Sequence, residues 1–377
     1  MTVNAFFEDA IRVTPQGNNT YSANLRREWC IGTGIYTDSL SLAQCNSFSS
    51  HVRIGDSTKI RKNDTIKGKL LMYAIVPHGG YTTALIYKLA VTHFEYAHPK
   101  LHPTPATPIS IHLSFLRRTA VGPTTLEVED IKLGARTSTI HIKLRQASEK
   151  QPDTLEVKVV GYITVSPPSA EVGLTANTKW KPYPKPAAGS LADGGVDLEK
   201  LARTGEDGIW RRMSSRYPDF RLAEGQFEMF GPGSGIQQHK SNGMMAIDQW
   251  MRFRPGGDRN GRWTDAAVVY LLDMFPMALD GLDTTAVEVA QANGDGSKAK
   301  SWYPTVTLSL DLKKRLPPGG VEWLYSRIDT KVVSNGRTDL NVTILDKDGE
   351  VVATGSQVGL VVSASRNFGN RKPETKL

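Results

Sequence analysis

Cysteine is scarce in this chain of 377 residues, which contains only Cys30 and Cys45. Two cysteines cannot supply the several bridges that hold small secreted domains together, and we expect both to be reduced thiols in an intracellular compartment. The sequence also lacks any apolar run of about 18 residues. Its first residues lack a basic stretch followed by an apolar one. We therefore expect neither a membrane span nor a secretory signal.

Charge of one sign is not concentrated along the chain. The formal net charge is +8, but the basic residues are scattered apart from short groups at 313–315 and 366–376. There is no basic stripe with interleaved aromatic residues, which is typical of nucleic-acid binding, so we expect no nucleic-acid partner. The positive balance is explained either by solubility or by attraction of a small polyanionic substrate, such as one that carries phosphates.

Length and composition divide the chain into two domains. A chain this long predicts two domains or one large duplicated domain. Residues 167–208 are rich in Pro, Ala, Gly and Lys and predict an extended linker, with a short helix over 197–203. The predicted domains are therefore 1–166 and 209–365, followed by a flexible tail over 366–377.

Residues 34–75 do not fit the first domain. The segment has little periodicity, and about forty residues without structure are unusual inside a compact domain. Two hypotheses fit: a genuine insertion that forms a disordered flap, or translated intron from a faulty gene model. A spliced message that lacks these codons would remove the insertion.

The repeated pattern of the first domain is a helix followed by strands, and a strand that ends at 29–32 precedes it. Gly79 and Gly80 open a segment, 82–94, with small and apolar residues nearly all round, which predicts a helix wrapped by other structure. In 109–115 apolar and polar residues alternate strictly, which predicts a half-buried strand. Three further strands are predicted at 125–132, 138–146 and 155–165.

The second domain repeats this order. Thr264 is suited to be the N-cap of a helix over 264–279, with Asp265 near its positive end. A strand follows in which Val306, Leu308 and the next apolar residues alternate with polar ones. Further strands are predicted at 321–333, 338–345 and 350–362. One helix followed by several antiparallel strands, used twice, predicts an α+β fold.

Three polar side chains lie in segments that should be mostly buried. They are a carboxylate on the second apolar helix, Asp273, a hydroxyl on the alternating strand, Thr307, and an amide on the last apolar strand, Gln357. Buried polar groups need partners, so three of them suggest one shared site. Each also has a structural interpretation: the aspartate can cap a neighbour, the threonine can be an ordinary strand residue, and the amide can be a satisfied polar group.

The order of motifs resembles a known family, the double-hotdog acyl-CoA thioesterases of the thioesterase II type, and within it the fungal thioesterase-like superfamily. The resemblance is carried by Trp29-x-Ile-Gly, His78-Gly-Gly-Tyr81, the alternating strand, and the segments around Asp273, Thr307 and Gln357. In that family each hotdog is a long helix wrapped by an antiparallel sheet, so the resemblance implies a double hotdog. Family members often carry Asp-His-Ser just after the threonine, whereas this chain has Ser-Leu-Asp at 309–311, which leaves the acyl preference open.

The resemblance also implies a catalytic site. In the family an aspartate, a threonine or serine, and a glutamine are catalytic, and Asp273, Thr307 and Gln357 fall at those positions. Asp273 would accept a proton from water as general base, while the hydroxyl and the amide would fix that water. Backbone amides at Gly79 and Gly80 would stabilise the oxyanion from the start of a helix.

The implied activity is hydrolysis of an acyl-CoA to free acid and coenzyme A, without a cofactor. The predicted substrate-binding residues are His78, Gly79, Gly80 and Tyr81. The acyl tail would lie in an apolar slot between the two helices, and basic groups would meet the phosphates. Two alternatives are a hotdog protein recruited to a fungal secondary-metabolite pathway for polyketide release or cyclisation, and a non-catalytic acyl-CoA-binding protein. A homodimer is one expected assembly, because double hotdogs often pair.

Two further motifs concern metals and location. The His98-x-x-x-His102 pair lies in a proline-rich loop without a third ligand, so we expect no metal site. The chain ends in Thr-Lys-Leu, a weak relative of the peroxisomal Ser-Lys-Leu address. Peroxisome and cytosol both remain open as locations.

Overall fold

The computed structural model describes residues 3–32, 75–102, 104–176, 178–183, 185–186, 195–215, 218–233, 245–275 and 301–363. Apart from Ile75, the insertion predicted at 34–75 lies outside the described residues. So do the tail, 366–377, and the end of the second predicted helix, 276–279. The two hypotheses about the insertion, the flexible tail and the peroxisomal signal therefore stay predictions, and so does the homodimer.

The described helices and strands include the predicted ones in their predicted order, together with others that the sequence did not indicate. The α-helices are α1 (Ala5–Ala10), α2 (Gly79–Ala97), α3 (Leu198–Thr204) and α4 (Asp265–Leu271). The strands of the first half are β1 (Thr14–Gly17), β2 (Thr20–Leu25), β3 (Cys30–Ile31), β4 (Val76–Pro77), β5 (Thr107–Phe115), β6 (Gly122–Lys132), β7 (Ser138–Ala147) and β8 (Leu155–Ser166). Those after it are β9 (Glu206–Asp207), β10 (Trp210–Met213), β11 (Phe227–Pro232), β12 (Met245–Phe253), β13 (Ser301–Trp302), β14 (Thr305–Leu312), β15 (Trp323–Thr330), β16 (Val333–Ser334), β17 (Arg337–Leu345), β18 (Val351–Leu360) and β19 (Val362–Ser363).

One sheet runs through both halves of the molecule. Its strand order is β1-β2-β6-β7-β8-β5-β14-β18-β17-β15-β12-β11-β10-β9. The halves meet where β5 and β14 pair antiparallel, with Ile111 opposite Leu310 and Leu113 opposite Leu308. The predicted α+β architecture, a helix and several antiparallel strands used twice, is confirmed.

The helices α2 and α4 pack against each other and share one hydrophobic core. Twelve of the 19 residues of α2 are buried, as the apolar character on all sides of this segment predicts. In α4 the six residues after Asp265 are buried. None of the helices within the described ranges has both the length and the apolar character of a membrane span.

The helix α4 is shorter than the sequence predicts. Thr264 caps its start as expected, because its hydroxyl accepts a hydrogen bond from the Ala267 amide at 3.4 Å. The helix ends at Leu271, and Asp273 lies in the turn that follows, so placing this aspartate on the helix was wrong. A physical reason is Pro276, because a proline ring would collide with the carbonyl of residue 272 in a continuing helix.

The N-terminal segment ties the two halves together next to this turn. Asn4 and Arg262 exchange two hydrogen bonds, from the Asn4 side-chain amide to the Arg262 carbonyl at 2.6 Å and from the Arg262 amide to Asn4 Oδ1 at 2.9 Å. The Trp29 ring stacks on Tyr81 of α2 at 5.5 Å and meets Tyr270 of α4 edge-on at 5.2 Å. These contacts fix the start of α2 relative to the end of α4.

Candidate active site

A carboxylate, a hydroxyl and an amide converge where the two halves meet. Asp273 is 1% exposed in the turn after α4, and Gln357 is 4% exposed on β18. The Thr305 hydroxyl, at the first residue of β14, lies 3.1 Å from Asp273 Oδ1 and 3.3 Å from Gln357 Oε1. The structure therefore brings Asp273 and Gln357 together, with Thr305 between them.

The sequence predicts Thr307 as the catalytic hydroxyl, but the hydroxyl that the structure places between Asp273 and Gln357 is that of Thr305. Strict alternation would place both threonines on one face of β14, but the register shifts between them. Thr305 pairs with Gly359, whereas Thr307 pairs with Val358, whose side chain is 38% exposed. Because directly opposed residues of a sheet share a face, Thr307 lies on the outer face with Val358. Thr305 and Gln357 lie on the inner one.

One atom of the Gln357 side-chain amide is unpaired among the described residues. Its Nε2 is buried and has no hydrogen-bond partner among the described residues. Rotating the amide would let Nε2 donate to Thr305 Oγ1 and would leave Oε1 without that partner instead. Buried polar groups are usually paired, so an amide with one unpaired atom suits a group that holds a water or a ligand.

The start of α2 closes the site from the other half of the chain. A Cβ at Gly79 would lie 2.5 Å from Asp273 Oδ2, and one at Gly80 would lie 2.5 Å from the Tyr270 carbonyl oxygen. Only glycine allows so close an approach of helix backbone to another chain segment. The sequence predicts these glycines as substrate-binding residues, and the structure places both against the turn that carries Asp273.

His78 caps α2 and is neutral. Its Nδ1 accepts a hydrogen bond from the Gly80 amide at 3.1 Å, so the ring proton sits on Nε2. Burial lowers the pKa of His78 to about 3. The 3.7 Å separation between His78 Nδ1 and Asp273 Oδ2 is therefore not an ion pair at neutral pH. His78 lines the cavity beside the site, where its Nε2–H can donate to a bound ligand.

Tyr81, also predicted to bind substrate, has a structural role. Its hydroxyl donates to the Ala10 carbonyl at 2.8 Å and accepts from the Arg26 amide at 3.1 Å. Both hydrogen bonds connect α2 to the N-terminal segment. Tyr81 is not among the residues that line the cavity, and its substrate-binding role stays a prediction.

The electrostatics of Asp273 suit a base that works near neutral pH. Burial raises the pKa of the Asp273 carboxyl to about 7, opposed by hydrogen bonds from the Thr305 hydroxyl and the Gly80 amide. A carboxylate with a pKa near the working pH combines a sizeable ionised fraction with useful basicity.

A cavity of about 350 Å³ opens beside the three groups. Asp273, Thr305, His78 and Gly79 line one part of its wall, whereas Gln357 lies behind Thr305. Much of the remaining wall is aromatic, formed by Phe115, Phe220, Phe275, Trp302 and Tyr303. The sequence patterns did not single out these rings, because an aromatic residue next to a strand end has no periodic signature.

Three arginines also line the cavity. Arg117 is about half exposed and pairs with Glu156 at 2.6 Å, and Arg118 follows it in the chain. Arg221 is buried and pairs with Glu224 at 3.2 Å. The cavity thus combines an apolar aromatic wall with positive charge, an arrangement that can hold an apolar group attached to an anionic one.

Two models of one protein family match the chain. Residues 68–166 match the family model of the acyl-CoA thioesterase N-terminal domain, and residues 197–361 match that of the C-terminal domain. The thioesterase-like protein TwmA of Talaromyces wortmannii is 28% identical over 325 residues, which cover 80% of this chain and 88% of TwmA.

Two solved structures share the fold. The acyl-CoA thioesterase II TesB2 of Mycobacterium marinum superposes with a TM-score of 0.51 at 15% identity, covering 97% of this chain and 99% of that one. A hot dog fold protein of Alicyclobacillus acidocaldarius superposes with a TM-score of 0.57 at 15% identity, covering 96% and 99%. The duplicated helix-and-sheet architecture and the two matched domains have one explanation: this chain belongs to the acyl-CoA thioesterase family whose N- and C-terminal domains it matches, and its fold is a double hotdog.

Proposed function

We propose that the protein hydrolyses an acyl-CoA thioester to a free acid and coenzyme A. The observation that carries the proposal is the Asp273–Thr305–Gln357 cluster, buried beside an apolar cavity and facing the first turn of α2. A general base, a group that positions water and a helix start are the parts that hydrolysis of an acyl group needs.

The reaction begins with a water held by Asp273 and Thr305. Asp273 takes a proton from this water while the water oxygen bonds to the thioester carbonyl carbon. The carbonyl π electrons move to the carbonyl oxygen. The tetrahedral intermediate then collapses, breaks the carbon–sulfur bond and releases coenzyme A as a thiolate, which recovers the proton. General base catalysis of this kind contributes about 10²–10⁴-fold to the rate.

Gln357 is a positioning residue in this mechanism. It lies behind Thr305 and does not line the cavity, so it acts through the threonine hydroxyl or through a second water. A hydroxyl held between a carboxylate and an amide has little rotational freedom, which keeps the attacking water aligned.

Gly79 is the best-placed donor for the oxyanion. The first N–H groups of a helix have no partner within the helix, and Gly79 is the first residue of α2. The next amide, that of Gly80, already donates to His78 Nδ1. Gly79 lines the cavity, and the His78 Nε2–H can supply a second donor there.

The other residues of the cavity wall would contact the two ends of the substrate. The aromatic rings would hold the acyl group, and Arg117 with Arg118 would attract the phosphates of coenzyme A. Exposed arginines suit this role, because phosphates stay partly hydrated at the mouth of such a site.

The test is thiol release from a series of acyl-CoAs by the wild-type chain and by Asp273→Asn. We expect the variant to bind an acyl-CoA with similar affinity but to turn it over at least about a hundredfold more slowly, because an amide cannot take the proton. Near-normal turnover in the variant would rule out the base role. Binding without thiol release by the wild type would favour the non-catalytic alternative, and release only from a carrier-protein thioester would favour the polyketide one.

A further inference from the structure

The far end of α2 carries a second cluster of polar, titratable side chains. The helix of 19 residues spans roughly 28 Å at 1.5 Å per residue, with the proposed active site at its first turn. At the other end lie His93, in the last turns, and His98, the residue that ends the helix. The cluster is therefore separate from the site described above.

Asp130 of β6 brings these two imidazoles together. His93 Nε2 lies 2.8 Å from Asp130 Oδ1, and His98 Nε2 lies 2.9 Å from Asp130 Oδ2. One ligand atom from each of the three residues falls within 4.8 Å of the other two. His93 is buried, while His98 and Asp130 are partly exposed, so an ion could enter from solvent.

Asp130 forms its ion pairs with imidazoles. Within the described residues, its partners at ion-pair distance are the two histidines, and no lysine or arginine lies within 4.0 Å of its carboxylate. The carboxylate also lies at the C-terminal end of α2, where the helix dipole is negative. A negative side chain at a negative helix end is unfavourable unless a cation joins it, and a metal ion or an imidazolium proton could be that cation.

Tyr21 orients the buried imidazole. Its hydroxyl lies 2.8 Å from His93 Nδ1, and the two rings meet edge-on at 5.8 Å. This contact leaves His93 Nε2 directed at the carboxylate. Metal-binding histidines characteristically use the second ring nitrogen in such a hydrogen bond, which fixes the tautomer and the ring.

We propose that His93, His98 and Asp130 bind a divalent transition-metal ion of the zinc class. Two imidazole nitrogens and a carboxylate form a ligand set that zinc accepts, and water can complete the tetrahedron from the exposed side. The ion would link α2 to β6 and anchor the helix whose first turn faces Asp273. The sequence paired His98 with His102, whereas the group that the structure brings together joins His98 to His93 and Asp130 and does not include His102.

The experiment uses the full chain, stripped with a chelator and then titrated with Zn²⁺ or Co²⁺. We expect one ion per chain by elemental analysis and, with Co²⁺, the intense visible absorption of tetrahedral coordination. Saturating Zn²⁺ at about a hundred times its dissociation constant should raise the Tm by about 3 °C.

Three variants and one matched control locate the ion. His98→Gln and Asp130→Asn each remove a ligand and should weaken binding at least about a hundredfold, while Tyr21→Phe should weaken it about tenfold or more. His141→Gln is the control, because His141 lies 3.5 Å from Glu129 on the neighbouring strands β7 and β6 but is not part of a three-ligand group. It should bind the ion like the wild type.

Either of two results would overturn the proposal. If the wild-type chain binds no stoichiometric ion, the three side chains form a hydrogen-bond network and not a metal site. Equal binding by wild type and His98→Gln would place the ion elsewhere. Since His98 is partly exposed, its replacement should leave the fold intact, and circular dichroism of each variant checks this.

Discussion

Gly79 and Asp273 approach each other so closely that a Cβ on residue 79 would lie 2.5 Å from Asp273 Oδ2. The two residues come from different halves of the chain, one from the first turn of α2 and the other from the turn after α4. The proposed oxyanion donor and the proposed base are therefore positioned by one contact between the hotdogs.

Gly79→Ala should damage this contact. The added methyl group collides with the carboxylate, so the start of α2 and Asp273 must separate; we expect a loss of about a hundredfold or more in kcat/KM and about 1–3 kcal/mol in the free energy of unfolding. The measurements are steady-state kinetics and urea unfolding. Gly225→Ala is the control, because a Cβ there meets nothing within 4 Å. Equal effects of the two substitutions would contradict the role of the contact.

The two threonines of β14 give a matched pair of variants. Thr305→Val removes the hydroxyl between Asp273 and Gln357, and we expect kcat to fall about tenfold to a hundredfold with little change in KM. Thr307→Val makes the same chemical change two residues away on the outer face, and activity should stay near that of the wild type. A larger loss in the Thr307 variant would restore the assignment made from the sequence.

Activity should depend on the ionisation of Asp273. Burial raises the pKa of its carboxyl to about 7, and only the ionised form can accept a proton from water. We therefore expect kcat/KM to fall about tenfold per pH unit below about pH 7. In Thr305→Val the carboxylate loses a hydrogen bond that lowers its pKa, so the midpoint should move to higher pH. An unchanged midpoint would assign the titration to another group.

The same burial should lower the free energy of unfolding once the Asp273 carboxyl is ionised, above about pH 7. Its pKa in the folded state lies above that of the unfolded chain, so between about pH 4 and 7 the folded state holds a proton that the unfolded state has lost. The stability that the protonated carboxyl gives to the folded state is fully present below about pH 4 and is lost as the pH rises through about 7. Wild type should lose about 4 kcal/mol relative to Asp273→Asn between pH 4 and 8. Denaturant unfolding of both proteins measures the difference, and a constant difference would contradict the raised pKa.

The spacing of apolar residues along the sequence was sufficient to predict the helices and strands that repeat in the two halves. The alternation in 109–115 and the apolar surface of 82–94 correspond to β5 and α2, because burying one face of a strand or all sides of a helix leaves a periodic mark. The strands β10 and β11 were not predicted. Their four and six residues are too short for a clear alternating pattern.

The sequence alone determined the duplicated α+β order and placed Asp273 and Gln357 in buried segments, since both follow from local patterns of polarity. Tertiary structure decided the rest. A register shift within β14 selected Thr305 over Thr307, and the start of α2 reached Asp273 across the two halves. The same packing joined Asp130 to two histidines over 30 residues away. Such contacts depend on how strands and helices pair in space, and no local pattern of residues records that pairing.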